Sequence, residues 1–241
     1  MFGSRGRIGV VVPANNAVLE PELWSRLPAD VALYATRILA RGNLTREAVL
    51  AMESTVDRAV DELAATVVDC IVYADMVTTF IMEPGWNEAK TAAIAARTGA
   101  RCVSAWTALR DALAALGVTR FALGTPYPAA IHALCRPFFE ARGFALTGEA
   151  TLDILAMTDV PKVAPDRVAA LAEGLDRTGA QAVVLLATDL PTFAAIPTIE
   201  ARCGIPVLTS NQTILWRALR AVGYDGAVGG LGRLLTVQGP A

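Results

Sequence analysis

The fold is decided by a stretch that occurs twice, first as Cys70-Ile-Val-Tyr-Ala-Asp-Met-Val-Thr-Thr-Phe80 and again as Ala182-Val-Val-Leu-Leu-Ala-Thr-Asp-Leu-Pro-Thr-Phe193. Each copy starts as a short apolar run and passes into a loop that is rich in threonine. Apolar runs of this length are typical of buried parallel strands. Aligned at Phe80 and Phe193, the two copies lie 113 residues apart.

The same spacing relates other parts of the chain. Arg7-Ile-Gly-Val-Val-Val-Pro13 is echoed by Arg120-Phe-Ala-Leu-Gly-Thr-Pro126, again 113 residues further on. The alanine-rich segment Thr107–Gly117 is echoed by Thr213–Gly223 at a spacing of 106 residues. Two copies are too few for a solenoid. The duplication therefore predicts two similar lobes that face each other.

The boundaries of the lobes follow from the duplication. We expect an N-terminal lobe at 1–117 and a C-terminal lobe at 118–223. The remaining segment, 224–241, is expected to pack back on the N-terminal lobe.

Strand-like and helix-like segments alternate within the first lobe. The predicted strands are Arg7–Val12, Val31–Arg37, Val67–Ala74 and Arg101–Ser104, and the predicted helices are Leu44–Thr66, Asn87–Thr98 and Thr107–Leu116. Thr45 followed by Glu47 is typical of a helix start. This alternation predicts the α/β class, with a parallel sheet in each lobe.

Composition excludes several classes of protein. The chain has 241 residues, of which 54% are hydrophobic and 18% charged, with a net charge of −2, so a disordered chain or a nucleic-acid-binding surface is not expected. A single histidine excludes a multi-histidine metal centre. No apolar run approaches the roughly 18 residues of a membrane span, and the N-terminus does not resemble a signal peptide. We expect a cytoplasmic protein whose four cysteines are reduced and mostly buried.

Ligands of a two-lobed α/β protein bind where the carboxyl ends of the strands meet. This rule selects four loops, at 13–17, 77–79, 126–128 and 188–192.

The two N-terminal loops carry polar groups suited to an anion. Asn15 and Asn16 can present amide donors to a carboxylate, or form an Asx turn into the next helix. Thr78 and Thr79 can form an oxyanion site with the adjacent backbone N–H groups, or can cap a helix. Both alternatives stay open in each loop.

The two C-terminal loops are similarly ambiguous. Tyr127 lies between two prolines, so its hydroxyl is either aimed into the cleft or exposed on a turn. Thr188 and Asp189 are the first polar residues after an apolar strand. Asp189 is a candidate acid or base if burial raises its pKa, and otherwise a helix cap. His132 fits a helix face better than a catalytic role.

None of the nucleotide-binding, zinc-protease or serine-hydrolase motifs that we sought occurs in the sequence, so no cofactor and no metal is expected.

Taken in order, the loops resemble those of the aspartate/glutamate racemase superfamily, on the branch of maleate cis–trans isomerase and arylmalonate decarboxylase. The residues that carry this resemblance are Pro13-Ala-Asn-Asn-Ala17, Thr78-Thr79, Thr125-Pro-Tyr127 and Ile205-Pro-Val-Leu-Thr-Ser-Asn-Gln-Thr213. The resemblance covers nearly the whole chain. It implies two pseudo-symmetric flavodoxin-like lobes, an active site in the cleft between them and a cofactor-free enzyme that acts on small carboxylates.

The resemblance also implies two catalytic cysteines, one on each lobe. The matching positions hold Val77 and Thr188, so both cysteines are expected to be replaced. Valine cannot transfer a proton and an unaided threonine is a poor acid or base. A two-cysteine racemase is therefore not expected.

Decarboxylation is the chemistry that these replacements damage least, and a cofactor-independent lyase or isomerase acting through an enediolate-like intermediate is our leading interpretation. Asn15, Asn16, Thr78, Thr79 and Tyr127 would bind a small di- or oxo-carboxylate, and Val77 would line the pocket. Thr188 and Asp189 would occupy the catalytic position.

The source of the returned proton is left open among Asp189, Asp75, Tyr127 and water. Two other hypotheses remain: a hydrolase or hydratase that uses aspartate-activated water, and a carboxylate-binding protein without catalysis. Neither a nucleic-acid nor a membrane partner is expected, and a homo-oligomer stays open.

Overall fold

The computed structural model describes residues 2–237 and contains two four-stranded parallel sheets. The first sheet has the order β2-β1-β3-β4. Its strands are β1 (Gly6–Pro13), β2 (Val31–Ile38), β3 (Cys70–Tyr73) and β4 (Arg101–Ser104). The first-lobe helices are α1 (Leu19–Trp24), α2 (Arg46–Glu53), α3 (Val56–Ala64), α4 (Thr78–Ile81), α5 (Trp86–Thr98) and α6 (Ala105–Ala115).

The second sheet repeats this arrangement with the order β6-β5-β7-β8. Its strands are β5 (Arg120–Thr125), β6 (Ala145–Thr151), β7 (Ala182–Leu185) and β8 (Val207–Thr209). Its helices are α7 (Ala129–His132), α8 (Cys135–Glu140), α9 (Pro165–Glu173), α10 (Ile196–Cys203) and α11 (Ser210–Ala221), with 3₁₀ turns at Met157–Lys162 and Leu234–Thr236. The predicted α/β class, with two similar lobes of parallel strands, is confirmed.

The predicted helix over 44–66 is two helices, α2 and α3. Thr45 caps α2 as expected, since its side chain accepts a hydrogen bond from the Ala48 N–H at 3.2 Å. The helix ends where the Ser54 and Thr55 hydroxyls bond to the carbonyls three residues back, at 2.7 and 2.8 Å. Hydroxyl groups that bond to the backbone in this way compete with the helical ladder.

The strand predicted from Val67 begins only at Cys70. Val67 adopts φ 56°, a left-handed conformation, and 70% of its surface is exposed. It therefore belongs to the turn after α3, and the apolar run in the sequence overstates the length of the strand.

The last helix of each lobe packs against the other lobe. Helix α11 contacts β3 and β4 of the first sheet, α6 contacts β8 of the second, and the two helices pack on each other. Each begins with a capping box, from Ser104 to Thr107 and from Thr209 to Gln212. An ion pair between Asp111 and Arg217, with 2.8 Å between Oδ2 and Nε, links them. The two lobes thus share one core.

The described part of the C-terminal segment, 224–237, runs along α11 and α10. Gln212 Nε2 donates to the Leu231 carbonyl at 2.6 Å, and the Arg233 N–H donates to Glu200 Oε1 at 3.1 Å. Contact with the N-terminal lobe is made by Tyr224, whose ring lies under the Arg5 guanidinium. The lobe boundaries and the packing of 224–241 on the N-terminal lobe stay predictions.

Within residues 2–237, none of the helices combines the length and the apolar character needed to cross a membrane.

Candidate active site

A cavity lies between the lobes at the carboxyl ends of β1, β3, β5 and β7, with a volume of about 40 Å³. Its polar lining consists of Asn15, Asn16, Asp75, Tyr127, Thr188 and Asp189. Both lobes contribute to it.

The structure brings six of the eight predicted site residues to this cavity, namely Asn15, Asn16, Val77, Tyr127, Thr188 and Asp189. Thr78 and Thr79 are fully buried and do not line it. The Thr78 N–H donates to Asp75 Oδ1 at 2.8 Å, and Thr79 Oγ1 accepts from Asn87 Nδ2 at 3.4 Å. The roles assigned to all eight residues stay predictions, but the Thr78 contact serves the start of α4 and the Thr79 contact joins α4 to α5.

Asn16 joins the two lobes and also caps a helix. Its Oδ1 accepts hydrogen bonds from the Val18 and Leu19 N–H groups at 2.9 and 3.0 Å, at the start of α1. Its Nδ2 donates to Thr188 Oγ1 at 3.1 Å, and that hydroxyl donates to the Ala74 carbonyl at 3.1 Å. The hydroxyl proton of Thr188 is therefore already engaged, which makes this side chain a poor proton donor to a substrate.

Asp189 lies in the cavity wall with one long contact, 3.5 Å from its Oδ2 to Asn15 Nδ2. Burial raises the pKa of Asp189 to about 7, and the negative charge of Asp75 adds to the rise. A carboxyl group with a pKa near neutrality can both give and take a proton at physiological pH.

Asp75 faces the same cavity from the other lobe. Burial raises the pKa of Asp75 to about 6, although hydrogen bonds from Thr78 oppose the shift. From the sequence, Asp75 is predicted only as an alternative proton source. The available signal was its place as the first polar residue after β3, which mirrors Thr188 and Asp189 after β7.

Tyr127 has a buried hydroxyl group that makes no hydrogen bond within the described residues. Its ring packs edge-on against Phe80, with 6.3 Å between centroids, and burial raises the pKa of the phenol far above its usual value. A neutral hydroxyl that lines a cavity without a partner is available to a bound ligand.

One wall of the cavity is apolar, and the loops at the strand ends do not predict it. It consists of Leu44, Val49, Met52, Ile154, Met157 and Val160. Two segments carry part of this wall, one after β2 and one after β6, and they pair with each other across the cleft. The Leu44 N–H donates to the Leu155 carbonyl at 2.9 Å, and the Met157 N–H donates to the Gly42 carbonyl at 3.1 Å. In the sequence, an apolar residue that lines a pocket looks the same as one that packs in the core, so no pattern distinguishes the two.

The remaining candidate groups lie elsewhere. His132 Nδ1 is 2.8 Å from Thr125 Oγ1 and does not line the cavity, and burial lowers the pKa of its imidazole. The four cysteines are unpaired and none lines the cavity. Between residues 2 and 237 we find no cluster of three metal-ligating side chains, and the cavity lining contains no lysine or arginine.

Comparison with known proteins assigns the family. The sequence model of the arylmalonate decarboxylase family matches residues 8–235. The chain is 32% identical to a maleate isomerase from Nocardia farcinica over 239 residues, covering 95% of each protein. It is also 32% identical to an arylmalonate decarboxylase from Bordetella bronchiseptica over 236 residues, covering 94% of this chain and 95% of the relative.

Solved structures agree with the sequence relatives. A maleate isomerase from Nocardia farcinica, with a covalently bound succinylcysteine intermediate, superposes with a TM-score of 0.90 at 32% identity, covering 95% of this chain and 98% of that one. A maleate isomerase from Pseudomonas putida S16 in complex with maleate gives 0.92 at 23% identity, covering 97% and 98%, which supports the fold. The resemblance expected from the cleft loops is confirmed. The chain therefore belongs to the arylmalonate decarboxylase family, whose characterised relatives include maleate isomerases and arylmalonate decarboxylases.

Proposed function

We propose that the protein is a cofactor-independent lyase or isomerase acting on a small carboxylate, and that decarboxylation through an enediolate-like intermediate is its favoured reaction. The observation that carries this proposal is the pair of carboxyl groups, Asp75 and Asp189, that line one cavity from opposite lobes with pKa values of about 6 and 7. The family relationship supports the same two reaction classes.

In the proposed reaction, the phenol of Tyr127 and the amide of Asn15 hold the carboxylate that stays on the substrate. The bond to the second carboxylate breaks, CO₂ leaves and the electron pair enters an enediolate, which the same donors stabilise. Protonated Asp189 then delivers a proton to carbon, and its carboxylate regains a proton from water. Each turnover consumes one proton and leaves the enzyme unchanged.

The apolar wall favours decarboxylation of a substituted malonate over isomerisation of a substrate with a carboxylate at each end. Met52, Met157 and their neighbours can cover an apolar substituent, and a dry environment assists the loss of CO₂. The cavity lining offers no cation to a second carboxylate. An anionic substrate therefore binds best when Asp75 or Asp189 is protonated.

NMR of the purified protein in D₂O tests the proposal, with a panel of substituted malonates, maleate, and 2-oxo and hydroxy acids. We expect one deuterated monocarboxylate product from a malonate with an apolar substituent. Asp189→Asn should lower the rate of this decarboxylation by about 100-fold or more, which is the usual contribution of a positioned acid. Asp159→Asn, at an exposed aspartate paired with Lys162, is the matched control and should be neutral.

The same panel separates the other hypotheses. Conversion of maleate without CO₂ loss would replace decarboxylation by isomerisation, and solvent oxygen-18 in the product would indicate a hydrolase or hydratase. Thermal stabilisation by carboxylates, with neither turnover nor C–H exchange, would identify a binding protein and overturn the proposed activity.

A further inference from the structure

Glu22 belongs to α1 of the N-terminal lobe, yet its carboxylate is bonded to the C-terminal lobe. Oε1 accepts hydrogen bonds from the backbone N–H groups of Thr192 at 2.6 Å and Phe193 at 2.7 Å. Oε2 accepts from Asn211 Nδ2 at 2.7 Å. Short bonds from three donors to one half-buried carboxylate make a strong, directional link between the lobes.

Asn211 extends this link to the loop that carries Asp189. It lies in the first turn of α11 with 1% of its surface exposed, and the same Nδ2 also donates to the Thr188 carbonyl at 3.0 Å. One amide group with two hydrogens therefore joins the Glu22 carboxylate to the peptide between Thr188 and Asp189.

The loop from Thr188 to Phe193 is thus held at both ends, by Asn211 at its start and by Glu22 at its finish. Within residues 2–237, the Asp189 carboxyl interacts with its own backbone N–H and, at 3.5 Å, with the Asn15 amide. The direction of its side chain therefore depends on the orientation of its backbone.

We propose that Glu22 and Asn211 are positioning residues, which together set where the Asp189 carboxyl stands in the cleft relative to Asp75. Neither residue lines the cavity. The catalytic meaning of this inference rests on the proposed function, but the positioning itself can be measured without a substrate.

The test is ¹³C NMR of protein labelled at the aspartate carboxyl carbons, with the Asp189 signal assigned by its loss in Asp189→Asn. Its titration midpoint is compared in the wild type, Glu22→Gln and Asn211→Ala. In Glu22→Gln, the new amide faces the Asn211 amide and carries no charge. In Asn211→Ala, the bond to the Thr188 carbonyl is lost but the Glu22 charge remains. We expect the midpoint to fall by at least one pH unit in both variants, because the released carboxyl becomes hydrated.

Glu200→Gln is the matched control, since Glu200 also accepts backbone N–H bonds, from Val207 and Arg233, but lies outside the site. Its midpoint should equal that of the wild type. A fall in Glu22→Gln alone would reflect removal of a charge and would overturn the inference, as would unchanged midpoints in both folded variants. Absence of turnover in the wild type would overturn the proposed function but leave this result standing.

Discussion

At the scale of single residues, removing the hydroxyl group from two buried tyrosines should have different effects on the free energy of unfolding. The Tyr127 hydroxyl has no partner within the described residues, whereas Tyr73 donates to Glu53 Oε2 at 2.5 Å. Tyr127→Phe removes an unsatisfied polar group, so the free energy of unfolding should stay the same or rise by about 1 kcal/mol. Turnover of a confirmed substrate should nevertheless fall, because the carboxylate loses a donor.

Tyr73→Phe is the matched comparison and should lower the free energy of unfolding by about 1–2 kcal/mol, since Glu53 loses a buried partner. Urea unfolding of both variants measures these differences. Unchanged turnover in Tyr127→Phe would remove the phenol from the proposed mechanism.

The raised pKa of Asp189 also predicts how stability depends on pH. The unfolded carboxyl titrates near pH 4, and the folded one at about 7. Between these values the folded state holds a proton that the unfolded state has released. The contribution of Asp189 to stability is therefore full below pH 4, falls as the pH rises to about 7 and is constant above that.

Urea unfolding at a series of pH values checks this sign. Asp189→Asn should flatten the decline between pH 4 and 7. The parts that remain come from Asp75, up to about pH 6, and from Glu22, whose pKa is also raised by burial. A variant that keeps the full slope would show that Asp189 is ionised in the folded protein. If Asp189 is the proton donor, turnover should also fall as the pH rises above about 7.

At the scale of elements, strand β1 meets the end of α11 at Gly6. A Cβ atom at position 6 would lie 2.4 Å from the Cβ of Val222, which is closer than two non-bonded carbon atoms can approach. Gly6→Ala should therefore lower the free energy of unfolding by about 1–3 kcal/mol, the usual cost of overpacking. Adding Val222→Gly should recover part of this loss, so the double variant should be more stable than the sum of the single changes.

Gly229→Ala serves as the control, because a Cβ there meets nothing within 4 Å. It should be close to neutral. A purely additive double variant would mean that β1 and α11 do not meet at this point.

At the scale of the whole molecule, α6 and α11 each pack against the sheet of the other lobe. We therefore expect the two lobes to unfold together. Trp106 lies on α6 and Trp216 on α11, and both are buried. Fluorescence from either tryptophan and far-UV circular dichroism should give coincident urea transitions, as expected for one cooperative unit.

The chain also contains Trp24 and Trp86. Replacing these two by phenylalanine, together with either Trp106 or Trp216, leaves one fluorescent reporter in each variant. Separate midpoints for the two reporters would show that each lobe is stable by itself. That result would contradict a shared core.

The sequence by itself determined the two-lobed parallel architecture, because strand runs, helix starts and a 113-residue spacing are local or repeated patterns. It also identified the four loops at the strand ends, because parallel strands place those loops at one edge of the sheet.

Only the tertiary structure decided which loop side chains face the cleft. Thr78 turns to the start of α4 while Asp75 faces the cavity. The orientation of Asp189 is set by Glu22 and Asn211, which are distant in sequence. The physical reason is that side-chain direction in a loop follows from hydrogen bonds and packing with residues far along the chain, and a local pattern does not contain those partners.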